Sequence, residues 1–408
     1  MENIYDIRKK ENLLYILPKD IVKNQVSDYV MQETMVAVNL YYEDSVSRYM
    51  EYLNRIHKLI DVYIVSSNPV ILEITEKLKK RPIKTLLKEN RGRDVSALLV
   101  VLREVISEYE YVCFTHDKKS KQEYFSADVQ IWISNMWDNL IGSENYIRNV
   151  LELLENNREI GMLAPPEPMG EFISAWYGDA WCGDYENCKL LAEQLKLCCD
   201  IKENKQPITL STAFWARTKA LKKLFMKAWC YTDFPEEPMA DDGTISHAIE
   251  RILGYVVQDA GYKVATAMTE KYAAWNLLEA QDGMRKMMKT LNQKLLIQDI
   301  HDANALIEKK EIFQEFFLKN KKVYLYGAGK IGKRLLAWCN DWKLSVAGFV
   351  ISDNQELSVV AEGVNVYKLN ELTLSDETGI IIAVTPKFVK EIEEDLKKKN
   401  FSNYIYGY

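Results

Sequence analysis

The chain has 408 residues, and its 53 Lys and Arg against 59 Asp and Glu give a net charge of −6 at pH 7, which argues against general nucleic-acid binding. A chain of this length exceeds what one hydrophobic core usually supports, so two domains and a connecting element are expected. Since no apolar run approaches the roughly 18 residues of a membrane span and the N-terminus is too charged for a signal peptide, we expect a soluble cytoplasmic protein.

Apolar residues follow strand and helix periods in turn up to the Pro165-Pro166 pair. Strands are predicted at 34–42, 61–66, 83–87, 111–115 and 160–164, and helices at 45–59, 69–80, 95–106 and 143–156. Pro69 suits the first turn of its helix, and Asp94 is placed to cap another. Strands that alternate with helices predict an α/β fold with a mostly parallel sheet.

A charged turn precedes the helix at 95–106. It consists of Asn90, Arg91, Gly92, Arg93 and Asp94, and it ends a segment, Lys77 to Arg93, with eight basic residues and one acid, Glu89. Backbone N–H groups and two arginines at a helix entry are suited to hold a phosphate. The alternative is that the arginines pair with Asp94 and Glu89, while Gly92 only shapes the turn.

A second charged cluster follows the strand at 111–115. It consists of His116, Asp117, Lys118 and Lys119. Ligands of open α/β sheets usually lie at the carboxyl ends of the strands, so this cluster is a candidate site. The alternative is an ordinary solvated loop.

Aromatic residues mark the middle of the chain. Trp176 and Trp181 lie in a loop-rich insert, and Trp215 and Arg217 lie where a strand passes into a helix. Such rings either pack in a core, which is the more common use, or provide platforms for a sugar ring.

An acidic run ends in a predicted helix. Four acids precede Asp242, and Ile245, Ile249, Ile252 and Val256 form the buried stripe of a helix that ends near Gly261. The candidates for a general base are Asp241, Asp242, Glu236 and Glu237, although Asp242 also suits a helix N-cap. His247, one turn into the same helix, is expected to be a surface histidine or one with its hydrogen bonds satisfied rather than a catalytic residue.

The C-terminal part predicts a separate unit. Residues 276–320 have the composition of a helical connector, and strands are predicted near 321, at 346–351 and at 379–384, with a helix at 387–399. Gly327, Gly329 and Gly332 form a GxGxxG turn between a strand and a helix, and Asp353 lies where a ribose-binding acid is expected. No redox constellation accompanies this turn, so a nucleotide site is only weakly indicated and NAD(P) is not expected.

Four motifs in this order, NRGRD, CFTHDKKS, FWAR and DGTISHAIER, resemble the rhamnan synthesis protein F family of bacterial polysaccharide glycosyltransferases. The resemblance covers roughly residues 34–265. It implies a GT-A-like domain at 1–275, before the connector at 276–320 and a Rossmann-like domain at 321–408. It also implies an inverting transferase that moves rhamnose or a related sugar from a nucleotide donor, such as dTDP-rhamnose, to a polysaccharide or lipid-linked acceptor. Such an enzyme would work in the cytoplasm, at the inner face of the membrane if it associates peripherally.

The resemblance also assigns roles to residues. Asp117 stands where the family's wider fold binds a divalent cation, Mg²⁺ or Mn²⁺, and the donor diphosphate, and Asp241 or Asp242 stands where the base is found. Trp215 and Arg217 are placed on the acceptor side. This chain has one carboxylate and two lysines at the first position, so Lys118, Lys119, Arg91 and Arg93 are the alternative means of neutralising the diphosphate.

Two other function classes compete with this hypothesis. An NAD(P)-dependent sugar-nucleotide oxidoreductase or epimerase would centre on the GxGxxG turn, which lies in the last fifth of the chain. A catalytically inactive scaffold of a glycan-synthesis complex would explain the single carboxylate at Asp117.

Overall fold

The computed structural model describes residues 13–22, 25–119, 126–166, 181, 183–204, 209, 211–240, 242–355 and 360–407, leaving aside the side chains at 126–129 and 300. The chain divides into two compact units, Met1–Glu279 and Ala280–Tyr408.

The first unit alternates strands with helices. Its strands are β1 (Leu14–Leu17), β2 (Thr34–Asn39), β3 (Asp61–Ser66), β4 (Lys84–Leu87), β5 (Tyr111–His116), β6 (Ile160–Ala164), β7 (Phe214–Arg217) and β8 (Lys263–Thr269). Its helices are α1 (Asp28–Gln32), α2 (Val46–Leu53), α3 (Pro69–Leu78), α4 (Arg93–Ser96), α5 (Arg103–Ile106), α6 (Ser126–Ile141), α7 (Glu144–Asn156), α8 (Tyr185–Gln194), α9 (Lys222–Met226) and α10 (Ile245–Asp259). A π-helical stretch, Ala97–Val101, lies between α4 and α5.

The eight strands form one sheet in the order β1-β8-β6-β7-β5-β2-β3-β4. All neighbouring strands run parallel except β7, which is antiparallel to both β5 and β6. In the centre, Asn39 of β2 pairs with His116 of β5, so both strands end at the same edge. The predicted α/β class with a mostly parallel sheet is confirmed.

A hydrophobic layer covers each face of this sheet. Because side chains alternate along a strand, Cys113 of β5 enters one layer while Val112 and Phe114 enter the other. The first layer packs α2, α6 and α7 against the sheet, and the second packs α8, α10 and the helical residues 93–106. The candidate site lies where the second layer reaches the carboxyl ends of β2 and β5.

Most predicted elements of this unit are confirmed to within a few residues. The predicted strand at 34–42 instead ends at Asn39, because the amides of Tyr41 and Tyr42 turn toward the Asp117 carboxylate. The predicted helix at 45–59 ends at Leu53. Strands β1 and β8 and helices α1, α6 and α8 were not predicted.

The second unit contains a six-stranded sheet. Its strands are β9 (Lys322–Tyr326), β10 (Gly348–Ile351), β11 (Val360–Ala361), β12 (Val364–Lys368), β13 (Thr378–Ile382) and β14 (Tyr404–Tyr406), and its later helices are α13 (Lys330–Asp341) and α14 (Pro386–Lys398). The order is β11-β12-β10-β9-β13-β14, and only β11 runs antiparallel to its neighbour. The five parallel strands thus have the order of doubly wound sheets.

Two long helices precede this sheet. Helix α11 (Glu270–Leu295) is divided between the two units, and α12 (Ile300–Lys319) belongs to the second. Phe313 of α12 packs in the core of the second unit, and Asp302 makes a buried ion pair with Arg334 of α13. None of the helices that the structure describes is long and apolar enough to cross a membrane.

Candidate functional site

The two charged motifs of the first unit meet at the carboxyl ends of the central strands. The Nε2 atom of His116, the last residue of β5, lies 4.0 Å from the Asp94 carboxylate on α4. Helix α10, which carries the DGTISHAIER motif, packs against α4 in the same layer. Three motifs that are far apart in the sequence therefore form one polar cluster.

Asp117 faces the protein rather than this cluster. Both of its carboxylate oxygens accept the Tyr41 amide, at 3.0 and 2.9 Å, and one also accepts the Tyr42 amide at 2.8 Å. The residue is 6% exposed, and this burial raises its pKa to about 6 against the opposing effect of those amide hydrogen bonds. Its observed role is to hold the turn after β2.

The turn at residues 90–94 is held by the acidic loop before α10. Gly92 has a φ of +71°, and a Cβ atom there would lie 2.6 Å from the Phe234 ring. The Arg91 Nε donates to the Phe234 carbonyl at 2.7 Å, and an Arg93 Nη donates to the Met239 carbonyl at 3.3 Å. Their acidic neighbours are not Asp94 and Glu89 but Glu236, 3.8 Å from Arg91, and Glu237, 4.0 Å from Arg93.

Lys88 supports the same turn and was missed in the sequence. Its ammonium group donates to the carbonyls of Glu89 at 2.7 Å and Arg91 at 3.2 Å. Burial lowers its pKa to about 8, against the opposing charges of Asp94 and Glu237. Its position directly after a strand and before the charged turn was the available signal.

Arg251 organises the start of α10. Its guanidinium lies 3.0 Å from the buried Asp184 carboxylate and 3.2 Å from that of Asp242. Burial and the proximity of Asp242 raise the pKa of Asp184 to about 6. Asp184, Asp242 and His247 have the spacing of a metal site, but both carboxylates already lie against the Arg251 guanidinium, which offsets one of their two negative charges.

The two lysines of the second motif have different neighbours. Lys118 Nζ lies 3.7 Å from the centre of the Trp132 ring on α6, and Lys119 Nζ lies 2.6 Å from the Asp44 carboxylate. Lys118 also interacts electrostatically with Asp94 and Glu250. Of the two, Lys118 is the cation that belongs to the polar cluster.

Glu250, on α10, is an acid of this cluster that the sequence analysis did not select. It is half-buried, and burial raises its pKa while the charges of Lys118 and Arg251 oppose that shift. The sequence contained a signal for this residue, because Glu250 belongs to the DGTISHAIER motif and lies one turn after His247.

The aromatic candidates lie in the core. Trp215 is 1% exposed and its Nε1 donates to the Leu140 carbonyl, while Arg217 is 3% exposed and donates to the Tyr111 hydroxyl at 2.8 Å. Trp181 is 3% exposed and stacks on Tyr255. These three side chains are buried and offer no free surface to a sugar. Trp176 and Asp241 lie outside the described residues.

The GxGxxG turn of the second unit joins β9 to α13. Gly327 has a φ of +115°, and a Cβ atom on Gly332 would lie 1.8 Å from the Gly327 carbonyl oxygen, whereas one on Gly329 would meet open space. The Asp353 carboxylate accepts the Asn370 amide at 2.9 Å. Gly327 and Gly332 therefore have a packing role, and Asp353 secures a neighbouring turn.

The pH dependence of stability tests the placement of Asp117. Because its folded pKa of about 6 lies above the 3.8 of an unperturbed aspartate, its contribution to stability is greatest below pH 4 and is lost as the pH rises through 6. The wild type should lose about 2 kcal/mol of unfolding free energy relative to Asp117→Asn between pH 4 and 7. Urea titrations of both proteins measure this. Parallel curves would show that the backbone amides compensate fully for burial.

Comparisons with known proteins agree with the motifs. A family model described as rhamnan synthesis protein F matches residues 1–262, and one described as C2185-like, N-terminal, matches residues 319–405. The chain is 26% identical over 231 residues to "Uncharacterized protein WxcX" from two strains of Xanthomonas campestris pv. campestris, B100 and ATCC 33913. That alignment covers 53% of this chain and 31% of each curated relative, so the chain spans less than a third of their length. On the match that covers its first 262 residues, the chain belongs to the rhamnan synthesis protein F family.

Proposed function

We propose that this protein is a glycosyltransferase that moves a sugar from a nucleotide-sugar donor to a growing cell-surface polysaccharide. The observation that carries the proposal is the meeting of the motifs around Arg93, His116 and Glu250 at the carboxyl edge of a mostly parallel sheet. That edge is where α/β sheets usually bind their ligands. Membership of a family described by rhamnan synthesis supports a 6-deoxyhexose donor such as dTDP-rhamnose and a glycan acceptor.

The departing diphosphate needs positive charge, and the described residues do not fit a divalent cation well. The Asp117 oxygens are engaged by two backbone amides, and the carboxylates of Asp184 and Asp242 both lie against the Arg251 guanidinium. Mg²⁺ in such enzymes needs carboxylate oxygens that are free to coordinate it. We therefore propose that Lys118 and Arg93 stabilise the leaving group directly.

The test is transfer from a panel of dTDP-, UDP- and GDP-linked sugars to decyl rhamnoside and to lipid-linked glycan, with and without EDTA. We expect sugar transfer that EDTA leaves unchanged. The Lys118→Met variant should lose about 100-fold in rate, because it removes charge that forms part of the transition-state interaction. Lys189→Met is the matched control, since Lys189 also lies over an aromatic ring, 5.4 Å from the centre of Tyr185, but on the exposed surface of α8.

Other results would redirect the proposal. If EDTA abolishes activity and Mg²⁺ or Mn²⁺ restores it, a divalent cation stabilises the departing diphosphate. Turnover of nicotinamide cofactors would favour the oxidoreductase hypothesis, and the absence of any turnover would favour the scaffold.

A further inference from the structure

We infer that Glu250 is the catalytic base, the group that takes the proton from the attacking acceptor hydroxyl. The assignment rests on the proposed transfer reaction and deepens it. The base then lies in the second turn of α10 rather than in the acidic run that precedes this helix.

The surroundings of Glu250 place it in the candidate site. The backbone carbonyl of Glu250 accepts the Thr209 hydroxyl at 2.8 Å, so the segment before β7 lies beside it. Its carboxylate interacts with Lys118 and His116 at the end of β5 and with Asp94 on α4. The residue thus faces the elements that hold the other two motifs, and it is half-buried with access to solvent.

Two buried hydroxyl groups belong to α10 and to the segment that contacts the Glu250 backbone. Ser246 lies four residues earlier, on the same face of α10, and is 4% exposed; Thr212, in the segment that Thr209 begins, is 1% exposed. Within the described part of the chain, neither hydroxyl oxygen has a hydrogen-bond partner. Buried hydroxyl groups normally have a partner, so the Ser246 hydroxyl, one turn before Glu250 on the same face of α10, is suited to bind a hydroxyl group of a polyhydroxylated ligand.

The other described acids are less suited to accept a proton. The Asp242 carboxylate lies 3.2 Å from the Arg251 guanidinium, so one of its oxygens is already engaged. One Glu237 oxygen accepts the Met239 amide at 3.1 Å, and the other faces Arg93. Among the described residues, no hydrogen bond is donated to the Glu250 carboxylate. Burial also raises its pKa, which is the direction that a general base requires.

The step balances without a further reactant. The acceptor oxygen forms a bond to the anomeric carbon as the bond from that carbon to the diphosphate oxygen breaks. The departing nucleoside diphosphate keeps the electron pair, and the acceptor proton moves to the Glu250 carboxylate.

The experiment compares five variants in the transfer assay, with the donor that the wild type turns over fastest: Glu250→Gln, Glu250→Asp, Asp241→Asn, Asp242→Asn and Glu186→Gln. Glu186 is an exposed acid of α8, paired with Lys189, and serves as the control. We expect Glu250→Gln to lose about 1,000-fold in kcat. Its nucleoside diphosphate Kd, measured by calorimetry with dTDP, UDP or GDP, should stay within about threefold. Glu250→Asp, which keeps the carboxylate, should retain more activity than Glu250→Gln.

The outcomes separate this assignment from the proposed function. If the wild type transfers no sugar, the proposed function fails and the assignment fails with it. If the wild type is active and Glu250→Gln stays within tenfold of it, only the assignment fails. The assignment also fails if Glu250→Gln loses nucleotide binding, or if Asp241→Asn or Asp242→Asn alone abolishes transfer.

Discussion

Replacing Arg251 with leucine will destabilise the first unit by about 3–5 kcal/mol, because it leaves the fully buried Asp184 carboxylate without its counter-charge. The same change frees Asp242, whose carboxylate also lies against this guanidinium. Since both contacts fix the start of α10, transfer activity should fall together with stability. Urea unfolding followed by circular dichroism measures the first effect.

Two variants show whether the lost charge balance is the cause. The double variant Arg251→Leu with Asp184→Asn removes the unpaired carboxylate and should recover about 1–2 kcal/mol. Arg285→Leu removes an arginine that is 80% exposed beside Asp282, and it should change stability by less than about 0.5 kcal/mol. Equal stability of Arg251→Leu and the wild type would show that the buried ion pair contributes nothing.

Replacing Gly92 with alanine should cost about 3 kcal/mol and weaken nucleotide binding at least tenfold. Two effects add: a φ of +71° is unfavourable for a residue with a Cβ, and that atom would lie 2.6 Å from the Phe234 ring. Because Phe234 also accepts the Arg91 hydrogen bond, relief of the clash must shift the turn that carries both arginines.

Gly183→Ala is the matched control for this prediction. Gly183 has a similar φ of +82°, but no described atom lies within 4 Å of the added Cβ. It should therefore show the backbone cost alone, about 1 kcal/mol, with unchanged nucleotide binding. If both variants lose the same stability, the contact with Phe234 is not what restricts Gly92.

The general placement of the site was predictable from local patterns. Strand and helix periods around His116 and Asp94 predicted elements that a parallel sheet brings to one edge, and the structure brings these two residues within 4.0 Å. The direction of the Asp117 carboxylate was not predictable. It depends on how the chain turns at Tyr41, 76 residues earlier, and strand periodicity carries no information about that turn.

Long-range charge pairing was the other missing information. Arg251 and Asp184 are 67 residues apart, and nothing local to either residue indicates the partner. The core positions of Trp215 and Arg217 depend similarly on β7 running antiparallel between β5 and β6, a topology that the pattern of strands and helices does not specify.

The pairing of β1 with β8 has a consequence for biosynthesis. Leu14 lies beside Thr266, so β1 cannot pair with its neighbouring strand until nearly all of the first unit has been synthesised. Contacts of such sequence separation form late and slowly. Until β8 is synthesised, β6 has no partner on that side, so an unpaired strand edge stays exposed in the nascent chain.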